Sequence, residues 1–220
     1  MKKIFLLFIF LFSGMQAQEK YFEGMVEGNY TDETSGVNYS VKMLYGKNGE
    51  ILNELQGNYN DARGNSYNVQ MKQLFKQDKI YLIYNSPKGK VYSEISAGTL
   101  NPLPGPFTLS DKKQRETFLN LSDIQVYKID NGDKEIFYTI SEGLKFPISK
   151  YKKLLEDYVF KGLAVNNLDY IPLKVEVKDK KEGKTLLTFE IKKINAKEVS
   201  ETIFEIPKDA IKKDFAAELD

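Results

Sequence analysis

The strongest constraint on the fold of this chain is a period-two alternation of apolar and polar side chains. In Leu173-Lys174-Val175-Glu176-Val177-Lys178 every second residue is apolar, and after Lys181-Glu182-Gly183 the pattern resumes in Leu187-Thr188-Phe189-Glu190-Ile191-Lys192. Successive side chains of a β-strand point to opposite faces, so the two runs predict a hairpin with one dry and one wet face. A glycine at the turn tolerates the backbone that a tight connection requires. Strands with one polar face exclude an all-parallel sheet, whose strands are apolar on both sides.

The same grammar extends along the chain. Strands are predicted at Tyr21 to Tyr30, Val37 to Tyr45, Ile51 to Tyr59, Tyr67 to Met71, Lys79 to Tyr84, Val91 to Ile95, Ile124 to Ile129 and Glu135 to Ile140. Lys47-Asn48-Gly49-Glu50 and Asp130-Asn131-Gly132-Asp133 supply Asn-Gly hairpin turns. The run Lys79 to Tyr84 (KIYLIY) is apolar on both faces, which predicts a central strand. The segment from Ala97 to Phe107 holds Pro102, Pro104 and Pro106 and is expected to be a long irregular connection. Ser110 or Asp111 can cap a short helix through about Leu121. A second helix is expected after Pro147, where Ile148, Tyr151, Leu154, Leu155 and Tyr158 share one face. Ile203, Phe204 and Ile206 read as a closing segment stopped by Pro207, and Ile211, Phe215 and Leu219 as a C-terminal helix. The expected class is mainly β, about ten antiparallel strands with two short helices inserted between strand groups.

The N-terminus carries a separate message. Lys2 and Lys3 precede an unbroken apolar run from Ile4 to Phe12, followed by Ser13 and Gly14. That is the layout of a secretory signal peptide. The run is shorter than the roughly 20 residues needed to span a bilayer. Residues 1–17 are therefore expected to be removed between Ala17 and Gln18, leaving 18–220 as a single exported domain, periplasmic or secreted. A lipoprotein signal needs a cysteine after the cut; the chain has none, so no membrane anchor is expected.

Composition narrows function mostly by exclusion. Cysteine and histidine are both absent, which removes thiol chemistry, disulfides, most hydrolase triads and most zinc or copper sites. No catalytic residue, cofactor or metal site is predicted, and the chain does not read as an enzyme. The 32 basic and 31 acidic side chains nearly cancel, and loss of Lys2 and Lys3 tips the balance to −1. No footprint for nucleic acid results. Adjacent carboxylates occur at Glu156-Asp157 and near each other at Glu205 and Asp209. Such pairs are the raw material of glycoside hydrolysis, but are also ordinary surface chemistry. Asp130-Asn131-Gly132-Asp133 resembles a calcium loop without the later bidentate glutamate, and a hairpin turn accounts for it. Asn38-Tyr39-Ser40 and Asn120-Leu121-Ser122 fit the glycosylation pattern, which matters only in a eukaryotic secretory route.

Phe160-Lys161-Gly162-Leu163, then Ile171-Pro172-Leu173-Lys174-Val175-Glu176-Val177-Lys178-Asp179, the hairpin strand from Lys184 to Lys193, and the closing Phe204-Glu205-Ile206-Pro207 resemble a family of exported proteins of unknown function. That family is similar in fold to the periplasmic outer-membrane lipoprotein carrier (LolA-like). The resemblance implies a curved, half-open antiparallel sheet around an apolar cavity, with short helices as its lid. On it, Phe107, Phe118, Tyr151, Leu154 and Leu155 are expected in lid segments, while Leu173, Val175, Leu187 and Phe189 line the wall. The ligand it implies is apolar, a lipid or acyl chain. The competing expectation is an envelope protein interaction or structural module with a filled core.

Overall fold

The computed structural model describes residues 21–60, 66–86, 89–96, 103, 105–115, 117–155 and 157–214. The expected signal segment and its Ala17-Gln18 cut lie outside the described residues, as do most of the proline-rich connection, Phe215 and Leu219. The strands are β1 (Gly24–Asp32), β2 (Val37–Tyr45), β3 (Ile51–Asn60), β4 (Ser66–Lys76), β5 (Lys79–Ser86), β6 (Gly89–Ser96), β7 (Thr108–Arg115), β8 (Ile124–Asn131), β9 (Lys134–Lys145), β10 (Tyr170–Asp179), β11 (Thr185–Ala196) and β12 (Ile211–Lys212). They form one open sheet in the order β12-β6-β5-β4-β3-β2-β1-β11-β10-β9-β8-β7. Two antiparallel meanders, β1 to β6 and β7 to β11, are joined where β1 pairs with β11. The ladder shifts there by one residue between Glu27 and Gly28. A side chain at Gly28 would collide with the Glu190 carbonyl, so the glycine permits this close approach. A bulge of this kind bends and twists a sheet.

The cleanest sequence expectation is met in register: Val175 faces Phe189 and Val177 faces Leu187. Gly183 turns the hairpin with a φ of 67°. Other expectations need correction. Among the described residues the sheet has twelve strands, and β12 runs parallel to β6. That short strand replaces the start of the expected C-terminal helix. The expected helix from Ser110 is instead the edge strand β7, exposed along most of its length and paired with β8. A cap followed by polar residues reads alike for a solvated helix and a solvated edge strand, and backbone pairing with β8 decided between them. The expected helix after Pro147 is a 3-10 turn (Ile148–Tyr151), then irregular turns, then a one-turn helix α1 (Lys161–Val165). The apolar spacing served these turns as well as it would a helix. The closing segment at Ile203 to Ile206 overlaps a 3-10 turn (Glu201–Phe204) that packs across a sheet face.

Two apolar clusters flank the sheet. The larger joins the inward side chains of nearly every strand to the segment connecting β9 and β10, which supplies Phe146, Ile148, Tyr151, Leu154, Leu155, Val159, Phe160, Leu163 and Ala164. The smaller lies on the outer face, where Val199 and Phe204 cover Leu44, Leu52, Leu74 and Ile83. This second layer explains KIYLIY. β5 sits third from an edge and not at the centre; it is apolar on both faces because residues from 199 to 206 cover its outer side.

Candidate functional site

The register arranges the inner face of β1 to β6 in levels. The first, running across Tyr45, Ile51, Phe75, Ile80 and Ile95, is fully apolar and buried. The second crosses Val26, Met43, Asn53, Gln73, Leu82 and Ser93. The third crosses Gly28, Val41, Leu55, Met71, Tyr84 and Val91, of which Leu55, Met71 and Tyr84 are half-buried. Beyond it Tyr30 and Tyr39 stack with ring centroids 6.2 Å apart. None of these positions carries a charge. Three polar atoms here, Asn53 Oδ1, Tyr84 OH and Ser93 Oγ, are buried without a hydrogen-bond partner among the described residues. Each such atom costs about 1–3 kcal/mol relative to a satisfied one.

The β9–β10 connection covers the first level. Tyr151 OH donates to the Gly49 carbonyl, and its ring meets Phe75 edge-on at 5.7 Å. Tyr138 OH donates to the Tyr158 carbonyl at 2.5 Å and accepts from the Gly162 N–H at 3.1 Å. The Ser149 N–H and hydroxyl both donate to the Asp169 carboxylate. Burial lifts the hydroxyl pKa values of Tyr45, Tyr138 and Tyr151 above the ordinary tyrosine range. The cover also brings in one carboxyl: burial raises the pKa of Asp157, against the lowering effect of the Phe160 N–H that donates to it.

The residues expected to form a site fall as follows. Tyr151, Leu154 and Leu155 lie in the cover, Leu173, Val175, Leu187 and Phe189 on the sheet beneath, and all seven share the large cluster with Phe107. Phe107 precedes β7, and its carbonyl accepts from Asn166 Nδ2. Phe118 is half-buried in the tight turn that follows β7, with the Arg115 guanidinium 5.4 Å from its ring, and packs on the cluster's margin. The wall is filled: Leu173 and Val175 are 0% exposed and Phe189 1%. A side chain bordering a void large enough for water would keep accessible surface, so cover and wall are in direct contact. Sequence reading missed the second-level polar atoms. Asn53 and Ser93 stand in the alternation among apolar neighbours, and that break in pattern was the available signal.

A groove of about 1050 Å³ lies mainly on the opposite face, across β1 to β5, walled by Ile203, Glu205 and Pro207, and its lining also takes in third-level positions such as Val41, Leu55 and Met71. Along its side runs an ion-pair chain in which Glu54 accepts from Lys42 at 2.8 Å and from Lys72 at 2.5 Å. Burial pushes the Glu54 carboxyl up, but the two lysines outweigh it and hold its pKa below the usual range. Asp130 pairs with Lys180 at 2.8 Å and Asp209 with Lys90 at 3.3 Å, while Glu156 lies outside the described residues.

No family model matches the sequence, and no curated protein matches it. Two solved structures are similar in outline. One is from the MucA/MucB complex of Pseudomonas aeruginosa, 10% identical, covering 84% of this chain and 55% of that one with a TM-score of 0.42. The present chain thus spans about half the length of that match. The other is a LolA superfamily protein from Nitrosomonas europaea, 11% identical, covering 85% of this chain and 90% of that one with a TM-score of 0.34. The expected class is met by the sheet itself, which is open, curved and mainly β.

Proposed function

We propose that the chain is an exported, non-catalytic binding protein of the cell envelope that holds a lipid or acyl chain along the inner face of the sheet. The observation that carries this reading is the composition of that face. It is uncharged and apolar, half-exposed at Tyr30, Tyr39, Leu55 and Met71, and interrupted by three buried hydrogen-bonding atoms without partners. Ligand sites are built this way, with apolar walls and a few polar groups that fix orientation. An acyl chain entering from the half-exposed end would be stabilised by roughly 0.8 kcal/mol per buried methylene. To reach Leu173 and Val175 it would have to displace the cover, whose Tyr151 and Leu154 occupy the far end. The absence of histidine and cysteine from the sequence supports the non-catalytic reading.

The filled wall favours a second reading, an interaction module whose core is complete without ligand. Native mass spectrometry of protein isolated from its own envelope separates the two. The lipid reading expects an added mass that organic solvent extracts as lipid. A clean apo mass with no extractable lipid overturns it in favour of the module.

A further inference from the structure

The outer groove has a pattern of its own. Along its floor Asn29 faces Ser40, Ser40 faces Gln56, and Gln56 faces Gln70. Asn85 extends the row one position beyond the Met71–Tyr84 pair. All five line the groove and all are exposed. The Ser40 hydroxyl donates to the Gln56 carbonyl at 3.2 Å. The side chains of Asn29, Gln56, Gln70 and Asn85 make no hydrogen bond among the described residues. Each presents a donor and an acceptor side by side. The lysines nearby are already matched, while the exposed Glu205 carboxylate has no ion pair among the described residues. Lys42 and Lys72 are held by Glu54, Lys193 by Glu27, Lys192 by Glu190 and Lys90 by Asp209.

We infer that this groove is a binding site for a neutral, extended polysaccharide chain. Vicinal hydroxyls need paired donors and acceptors, which free amides supply, while an anionic polymer finds every lysine of the groove engaged by a carboxylate. Spacing selects further. The row steps from strand to strand at about 4.8 Å and runs about 19 Å over five strands. The repeat of an extended β-linked pyranose chain lies close to that step. An extended peptide advances about 3.4 Å per residue and would fall out of phase. Ile203 and Pro207 offer the wall an apolar surface for the C–H face of a sugar ring. The amide row projects from the face opposite the proposed lipid surface, so its glycan binding is read separately from lipid binding.

Calorimetric titration of the mature protein with cellohexaose, laminarihexaose and the N-acetylglucosamine hexamer tests the proposal, with dextran sulfate and an extended neutral peptide as rivals. At least one neutral glycan should bind, with an affinity that changes little at high salt. Gln56→Ala/Gln70→Ala should weaken it tenfold or more with an unchanged thermal transition. Asn68→Ala, beyond the groove on the same face, should leave it within twofold. Absence of binding to all three glycans, stronger binding of the sulfate polymer or the peptide, or an unaffected Gln56→Ala/Gln70→Ala protein would each overturn the assignment.

Discussion

The two faces of the β1–β6 meander are made by the same strands, one residue out of step with each other, yet they follow opposite chemical rules. Inward, no described position from Val26 to Ile95 that faces the large cluster is charged, and the first level is covered while the third is half-exposed. Outward, the strands carry three kinds of row: apolar residues beneath the turn at Phe204, the chain of ion pairs centred on Glu54, and the ladder of free amides. The inner face therefore acts through burial, where every methylene and every unpaired polar atom has a large effect. The outer face acts through hydrogen bonds in competition with water, where single side chains contribute little to stability and are left available for recognition.

Mutations on the two faces should separate accordingly. Leu173→Ala, at the centre of the filled wall, should lower unfolding stability by about 2–5 kcal/mol in urea titration, through lost burial and the cavity left behind. A loss under 1 kcal/mol would show that the cover re-packs freely and that the inner face is softer than its burial implies. Tyr138→Phe should cost about 1–3 kcal/mol because it leaves the Gly162 N–H and the Tyr158 carbonyl unpaired. Hydrogen exchange should then accelerate in residues 157–165 before the sheet responds; uniform acceleration would mean that cover and sheet open as one unit.

Asp157→Asn tests a carboxyl that the cover brings inward. Its folded pKa is raised by burial, so its contribution to stability is present at pH below the unfolded value and is lost as pH rises through the folded one. The asparagine variant should be more stable than the parent at neutral pH, and less so in acid. Glu54 has the opposite sign. Its lowered pKa means that its contribution is present above the unfolded value and is lost as pH falls through the folded one. Because the pair is largely solvated, Glu54→Gln should cost less than about 1 kcal/mol at neutral pH and nothing at pH well below the folded value. Thermal melts across the acid range would sharpen the contrast; equal pH slopes for both variants would erase it.

Much of the sheet was legible because alternation is a local signal. The hairpin of Val175 and Phe189 follows from residue spacing and a glycine, and its observed register is the one that places both on the same face. The segments that went astray are those where one pattern serves two structures. Thr108 to Arg115 is polar whether it is a capped helix or an edge strand, and the apolar spacing from Ile148 to Leu155 fits a helix or a series of turns equally well. The cluster of expected site residues was legible as a cluster, since apolar residues at alternate positions gather on one side. That it is filled was not legible, because filling depends on how far the β9–β10 connection travels across the sheet.

By itself, then, the sequence determined a mainly β chain without thiol or imidazole chemistry, with turns at its glycines and a dry face on its strands. Those properties follow from side-chain chemistry and from contacts between near neighbours. Only the tertiary structure decided which rows align. Asn29, Ser40, Gln56, Gln70 and Asn85 are scattered over more than fifty residues of sequence and become one ladder only when five strands pair in a single register. Register is set by the whole sheet at once, by its dry face, its turns and the bulge at Gly28, and a row that crosses strands has no signature along any one of them.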